Sequence, residues 1–158
     1  MIAERGRYLA RELPPPRRLT WRQKVRIHDP DTGEQTFYVD FGEYQDRRLC
    51  EVFIVAQKYG TFARGTLDTL ARSLSLALQS GTSPLDMARS LRGQCYPPCG
   101  RVEAEGSEVT DCLSIADYIG REIEANYGAD GRRLDRPLHP PQMPPDKAAG
   151  YISEGSGA

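Results

Sequence analysis

Apolar and polar residues alternate through the first part of the chain and then switch to a spacing of three and four. In WRQKVRI, Trp21, Gln23, Val25 and Ile27 fall on one side and Arg22, Lys24 and Arg26 on the other, which predicts a strand with one wet, basic face. HDPDTGE supplies turn chemistry, and after it Phe37, Val39 and Phe41 alternate with Tyr38 and Asp40. A second turn, QDRR, leads into Val52 to Ala56, a run apolar enough for a covered strand. Three short strands joined by short turns predict an antiparallel meander. Beyond Gly60 the period becomes helical: Leu67, Leu70, Ala71, Leu74, Ala77 and Leu78 form one stripe, and Gly81 stands where a left-handed C-terminal cap belongs. Ser83 before Pro84 reads as the start of a short helix carrying Leu85, Ala88 and Leu91. The Gly- and Pro-rich GQCYPPCGRVEAEGSE breaks the pattern, and a last helix places Cys112, Ile115, Ala116, Ile119 and Ile123 on one stripe before Gly128. Strands first and helices second predict an α+β fold, with three helices covering one face of a three-stranded sheet.

Composition refines the boundaries. The 158 residues hold 21 basic and 22 acidic side chains, yet residues 1–26 alone carry eight cations against Glu4 and Glu12. We therefore expect a basic N-terminal arm with a short helix over residues 1–16, a globular domain over 17–127, and a flexible tail over 128–158, whose five prolines and few large apolar groups cannot offset the entropy of ordering it. The balanced total argues against a nucleic-acid partner. No run of about 20 apolar residues and no apolar leader is present, which predicts a cytoplasmic chain without a membrane partner, its four cysteines reduced or metal-bound.

The chemistry on display is sparse. No paired-carboxylate, serine-triad, P-loop or dinucleotide motif is written in the chain, and His28 and His139 fall in a turn and in the tail, so no catalytic residue is assigned. KYGTFARGT sets Lys58, Gly60, Thr61 and Arg64 at the start of the main helix, where free N–H groups favour a phosphate, and Tyr59 or Tyr96 offers a ring for a base. The other reading of the same residues is a strand-to-helix turn in which Gly60 permits the backbone angle and Thr61 caps the helix. Cys95 and Cys99 on one loop, Cys112 thirteen residues later and Cys50 from the third strand have the donor types of a structural zinc site; buried thiols or a redox pair are the other readings.

The runs FYVDFGEYQDRRLCEVFI, RSLSLALQSGTSPLDMARSL, YPPCGRV and SIADYIGREI resemble the C-terminal, TSCPD-related domain of adenosylcobalamin-dependent (class II) ribonucleotide reductases, here as a stand-alone protein. The resemblance covers residues 13–127, and TDCLS stands where such proteins carry their naming motif, Cys112 matching its cysteine. It implies a role in deoxynucleotide metabolism and DNA replication. The radical and reducing cysteines and the cobalamin site of a whole reductase do not fit into this length, so cobalamin is not expected to bind this chain alone. The expectation is a non-catalytic relative, in a setting such as a phage or mobile element, that docks on a reductase subunit or binds a nucleotide. An independent nucleotide-sequestering protein is the alternative. An exposed edge on a small meander further predicts a homodimer.

Overall fold

The structure, a computed structural model, describes residues 10–135. Strands β1 (Leu19–Asp29), β2 (Gly33–Glu43) and β3 (Leu49–Ala56) form the expected meander. Helices α1 (Thr61–Gln79) and α2 (Pro84–Leu91) follow, then β4 (Gly100–Glu103), β5 (Asp111–Cys112) and α3 (Ile115–Asn126). The sheet is antiparallel with order β3-β2-β1-β4-β5, and the fold is α+β.

Alternation assigns the two faces. Val25, Ile27, Phe37, Val39, Phe41, Val52 and Ile54 turn inward and are buried, with the Trp21 and Phe41 rings stacked at 4.3 Å between adjacent strands. The opposite face is open to water, and its basic stripe is matched by acids. Arg22 grips Asp40 through two bonds of 2.6 and 2.8 Å, Arg26 lies 3.1 Å from Glu34, and Arg18 pairs with Glu51. Local charge balance therefore lives on this face as well as in the totals.

Helix α1 runs along the free edge of β3, and two of its polar side chains close that edge. Ser75 Oγ accepts the Val52 N–H at 3.0 Å and donates to the Ala71 carbonyl at 2.8 Å, while Gln79 Nε2 donates to the Cys50 carbonyl at 3.0 Å. An edge strand with unmet backbone groups invites stray pairing, and one turn of helix removes that here. The caps follow the sequence expectation: Ser83 accepts the Asp86 N–H ahead of Pro84, and Gly81 has φ of 99°.

Three expectations are corrected. The sheet has five strands, because the Gly- and Pro-rich stretch contributes β4, which adds to the free side of β1 along Arg26 to His28, and β5 beyond it. Residues 10–16 carry no helix; they are tied to the domain by the Glu12 N–H on the Gln79 carbonyl (2.7 Å) and by Glu12 Oε1 on Arg48 (2.9 Å). Residues 128–135 are not free tail but a strap bridged to Arg48, with Arg133 stacked 5.2 Å over Trp21. The rest of the expected arm and tail, residues 1–9 and 136–158, lies outside the described residues.

Ser75→Ala strands the buried Val52 N–H and is expected to cost about 1–3 kcal/mol in urea unfolding. Ser73→Ala, on the exposed side of the same helix, should stay within about 0.5 kcal/mol. Equal effects would contradict the edge-closing role.

Candidate functional site

The loop over residues 93–100 leaves water-facing side chains on a backbone that is held at Gly93, Gln94, Tyr96 and Cys99. Gln94 is fixed from the start of α3: Ser114, the N-cap, accepts the Asp117 N–H at 3.0 Å and donates to the Gln94 carbonyl at 2.6 Å. Asp117 in turn accepts the Gly93 N–H (2.8 Å) and the Leu113 N–H (3.0 Å) and is paired with Arg121 (2.9 Å). Tyr96 N–H reaches the Leu113 carbonyl at 3.1 Å. At the far side Asp29, at the end of β1, accepts the Cys99 N–H at 2.9 Å while its other oxygen takes the Asp31 and Thr32 N–H groups that shape the β1–β2 turn. Gly100 then passes so close to β1 that a Cβ would lie 2.1 Å from the His28 carbonyl oxygen, and its φ of 149° excludes other residues without strain.

Electrostatics follow from these donors. The N–H groups of Cys99, Thr32 and Asp31 hold the Asp29 carboxyl at about 2. At Asp117 burial works against the charge, but the Gly93 and Leu113 N–H groups and Arg121 outweigh it and keep its pKa below the usual value. The same Asp29 charge, after burial, pushes both the Tyr59 hydroxyl and the Cys99 thiol upward. The Asp29 charge thus acts on both Tyr59, just before the helix entrance, and Cys99, on the cysteine loop.

The predicted residues divide accordingly. Lys58, Gly60, Thr61 and Arg64 are placed at the entrance of α1, all but Arg64 at or before its first residue, and Gly60 is the N-cap with no side chain closing the first turn. Tyr59 is half-buried with its ring tilted against Phe37 at 5.6 Å, so it serves the core rather than standing free for a base. Tyr96 remains 40% exposed beside the equally exposed Leu113.

The cysteines do not converge as four ligands. Cys50 sits on β3 and Cys112 on β5, the two edges of a five-stranded sheet, four spacings or roughly 19 Å apart. Zinc–sulfur bonds of about 2.3 Å leave no place for Cys50 in a common site. Among the described residues no three cysteine, histidine or acidic side chains are grouped to hold a metal. Burial, reinforced by Glu51 at Cys50 and by Asp117 at Cys112, raises those thiols to about 12 and about 11, so both stay protonated at neutral pH. His28 lies on the open face, its Nε2 3.0 Å from Glu103 Oε2.

The match to known proteins falls on this same framework. The TSCPD domain family matches residues 8–127. The chain belongs to the TSCPD domain family. It is similar to vitamin B12-dependent ribonucleotide reductases, with 32% identity to that of Bradyrhizobium diazoefficiens and 30% to that of Agrobacterium fabrum, each over 117 residues. Each match covers 74% of this chain but 9% of the relative, so the chain spans about a tenth of those enzymes. No solved structure matches it. Among the described residues of this TSCPD domain no helix is long and apolar enough to cross a membrane.

Sequence reasoning missed Asp29 and Asp117, the two carboxylates that build the TSCPD loop. Signals for each were present: Asp29 opens an Asx-type turn in HDPDTG, and Asp117 closes a Ser-x-x-Asp capping pattern with Ser114. Asp29→Asn is expected to destabilise the domain at pH 7. Because the folded carboxyl titrates near 2, its contribution is present above the unfolded value of about 4 and is lost as pH falls towards 2. Urea midpoints of wild type and variant should therefore differ at pH 7 and converge by about pH 2. An unchanging gap would contradict the assignment.

Proposed function

We propose that this TSCPD domain is a non-catalytic docking module of deoxynucleotide metabolism, which seats on the body of a ribonucleotide reductase through the loop over residues 93–100. One observation carries this reading: Tyr96 and Leu113 project into water from a backbone fixed by Asp29, Asp117 and Ser114. An aromatic side chain held in place before contact loses little freedom on binding, which is how interface anchors gain affinity. The relationship to reductases of which the match covers 9% supplies the partner class. Buried Cys50 and Cys112, both protonated at neutral pH, support a role without chemistry of its own.

A second reading places a nucleotide phosphate at the entrance of α1. Its support is specific: the first turn holds no acidic residue and no side-chain cap, and Lys58 and Arg64 flank it.

Both readings meet in one experiment. Tagged protein is mixed with a purified B12-dependent reductase, and a nucleotide panel is run by thermal shift. Docking predicts that wild type captures the reductase, that Tyr96→Asp with Leu113→Asp does not, and that the panel leaves Tm unchanged. No capture by wild type contradicts docking. A nucleotide that raises Tm in wild type, through a stabilisation of about 2.7 kcal/mol at 100 times Kd, and not in Arg64→Ala would move the function to the helix entrance.

A further inference from the structure

The two ends of the described domain meet on one turn, Tyr44 to Arg48, which joins β2 to β3. The N-terminal arm reaches it through Glu12. Its carbonyl accepts the Tyr44 hydroxyl at 2.6 Å, and its carboxylate takes two bonds from the Arg48 guanidinium, at 2.9 and 3.1 Å. The strap over residues 128–135 reaches the turn from the other end of the chain, with Arg133 N–H on the Arg47 carbonyl (3.0 Å) and Leu49 N–H on the Gly131 carbonyl (3.1 Å). Arg48 serves both segments, since it also forms the antiparallel bridge to Arg132.

That bridge sets two cations opposite each other, and like charges directly opposed across an antiparallel pair are destabilising. Glu12 and Asp46 offset them by gripping Arg48 together: Asp46 Oδ2 accepts from Arg48 Nε at 2.7 Å while Glu12 takes the two terminal nitrogens. Asp46 belongs to the turn, whereas Glu12 arrives with the arm. The Arg48 hydrogen bond, and after it the Arg48 and Arg132 charges, hold the Asp46 carboxyl below its usual range, so Arg132 is felt at this turn as well. The strap's other anchors are imperfect. Arg47, whose carbonyl it uses, has φ of 69°, the one positive value at a non-glycine position among the described residues. Arg47 Nε and Glu43 Oε2 stand 4.0 Å apart, both buried and, among the described residues, without a hydrogen-bond partner. Arg133 approaches Glu43 only to 3.8 Å. A strap closed over unmet polar atoms and a strained turn belongs to the weakly held part of a fold, where a small change in charge is enough to lift it.

We infer that this turn is an electrostatic latch: the N-terminal arm, by setting Glu12 on Arg48, lets the strap close against Arg132's opposing charge, so the two ends of the domain are held or released together. Coupling of this kind is reciprocal. A partner that draws the arm away loosens the strap, and one that draws the strap away loosens the arm. Lifting the strap also takes Arg133 from above Trp21 and opens the Trp21–Tyr127 bond to water. The latch lies at the end of the sheet opposite the loop over residues 93–100 and stands whether or not that loop docks.

Amide hydrogen exchange on the full chain reads the latch from both sides. Glu12→Gln removes the charge and leaves the two backbone bonds of residue 12 in place. It should speed exchange at Leu49 and Arg133 by about three- to fivefold, the effect of losing a well-formed exposed ion pair, with Val25 on β1 and Val39 on β2 unchanged. Arg132→Gln takes away the opposed cation, and in the double variant Leu49 and Arg133 should return to wild-type rates. In the reverse direction Gly131→Ala, strained by φ of 76° and by a Cβ 3.1 Å from Pro84 Cδ, should speed exchange of the Glu12 amide. Rates at Leu49 and Arg133 that do not respond to Glu12→Gln overturn the inference, as does a double variant as fast as Glu12→Gln alone. So does equal acceleration at Val25 and Val39, which marks a general loosening of the domain, or a Glu12 amide indifferent to Gly131→Ala.

Discussion

A carboxylate taken out of water must be given donors, and in this domain two of them take backbone N–H groups from segments distant in sequence. Asp29 binds Cys99, seventy residues away, and Asp117 binds Gly93, twenty-four residues away. Each bond is charge-assisted, and removal of either acid leaves a part-buried N–H with nothing to receive it. The segment between those two contacts has no helix or strand of its own. Its shape is imposed from β1 on one side and from α3 on the other. Tyr96 and Leu113 can act as anchors only because the peptide beneath them has been fixed in this way.

The opposite end of the sheet is closed by a related arrangement. Buried Glu43 accepts from the Tyr127 hydroxyl at 2.8 Å, and Tyr127 accepts from the Trp21 indole at 3.0 Å, joining β2, β1 and the end of α3. Arg133 from the strap lies 3.8 Å from the same Glu43 and over Trp21. Burial and then the Glu43 charge raise the Tyr127 hydroxyl, which keeps it a donor. The apolar layer is thus held between two polar ends, one of which fixes the strap while the other presents the loop. Helix α1 sits beside this layer, its inner side closing the β3 edge and its outer side unused by the fold.

What the chain announces in advance is what depends on neighbours in sequence. Period-two alternation from Trp21 to Ala56, the change to helical spacing after Gly60 and the Ser83–Pro84 start are local, and the fold has them where they were expected. β4 and β5 are four and two residues long; β4 becomes a strand because β1 offers it a free edge, and β5 because β4 does, so no local pattern reveals them. Tyr59 looked available because a residue before a helix is usually exposed; Phe37, twenty-two positions earlier, draws it inward. The cysteine spacings suggested a single cluster, yet spacing carries no information about which edge of a sheet a strand will occupy. The acids that organise the loop were visible only as turn and cap residues, because their second partners come from another part of the chain.

The central claim is that the loop over residues 93–100 is fixed before any partner arrives, and amide hydrogen exchange tests it residue by residue. In the isolated protein the Gly93, Tyr96 and Cys99 amides should exchange as slowly as those of β1, since each is bonded to a group on the rigid frame. Exchange at the rate of an unstructured chain at Gly93 and Cys99, with β1 still protected, would contradict the account.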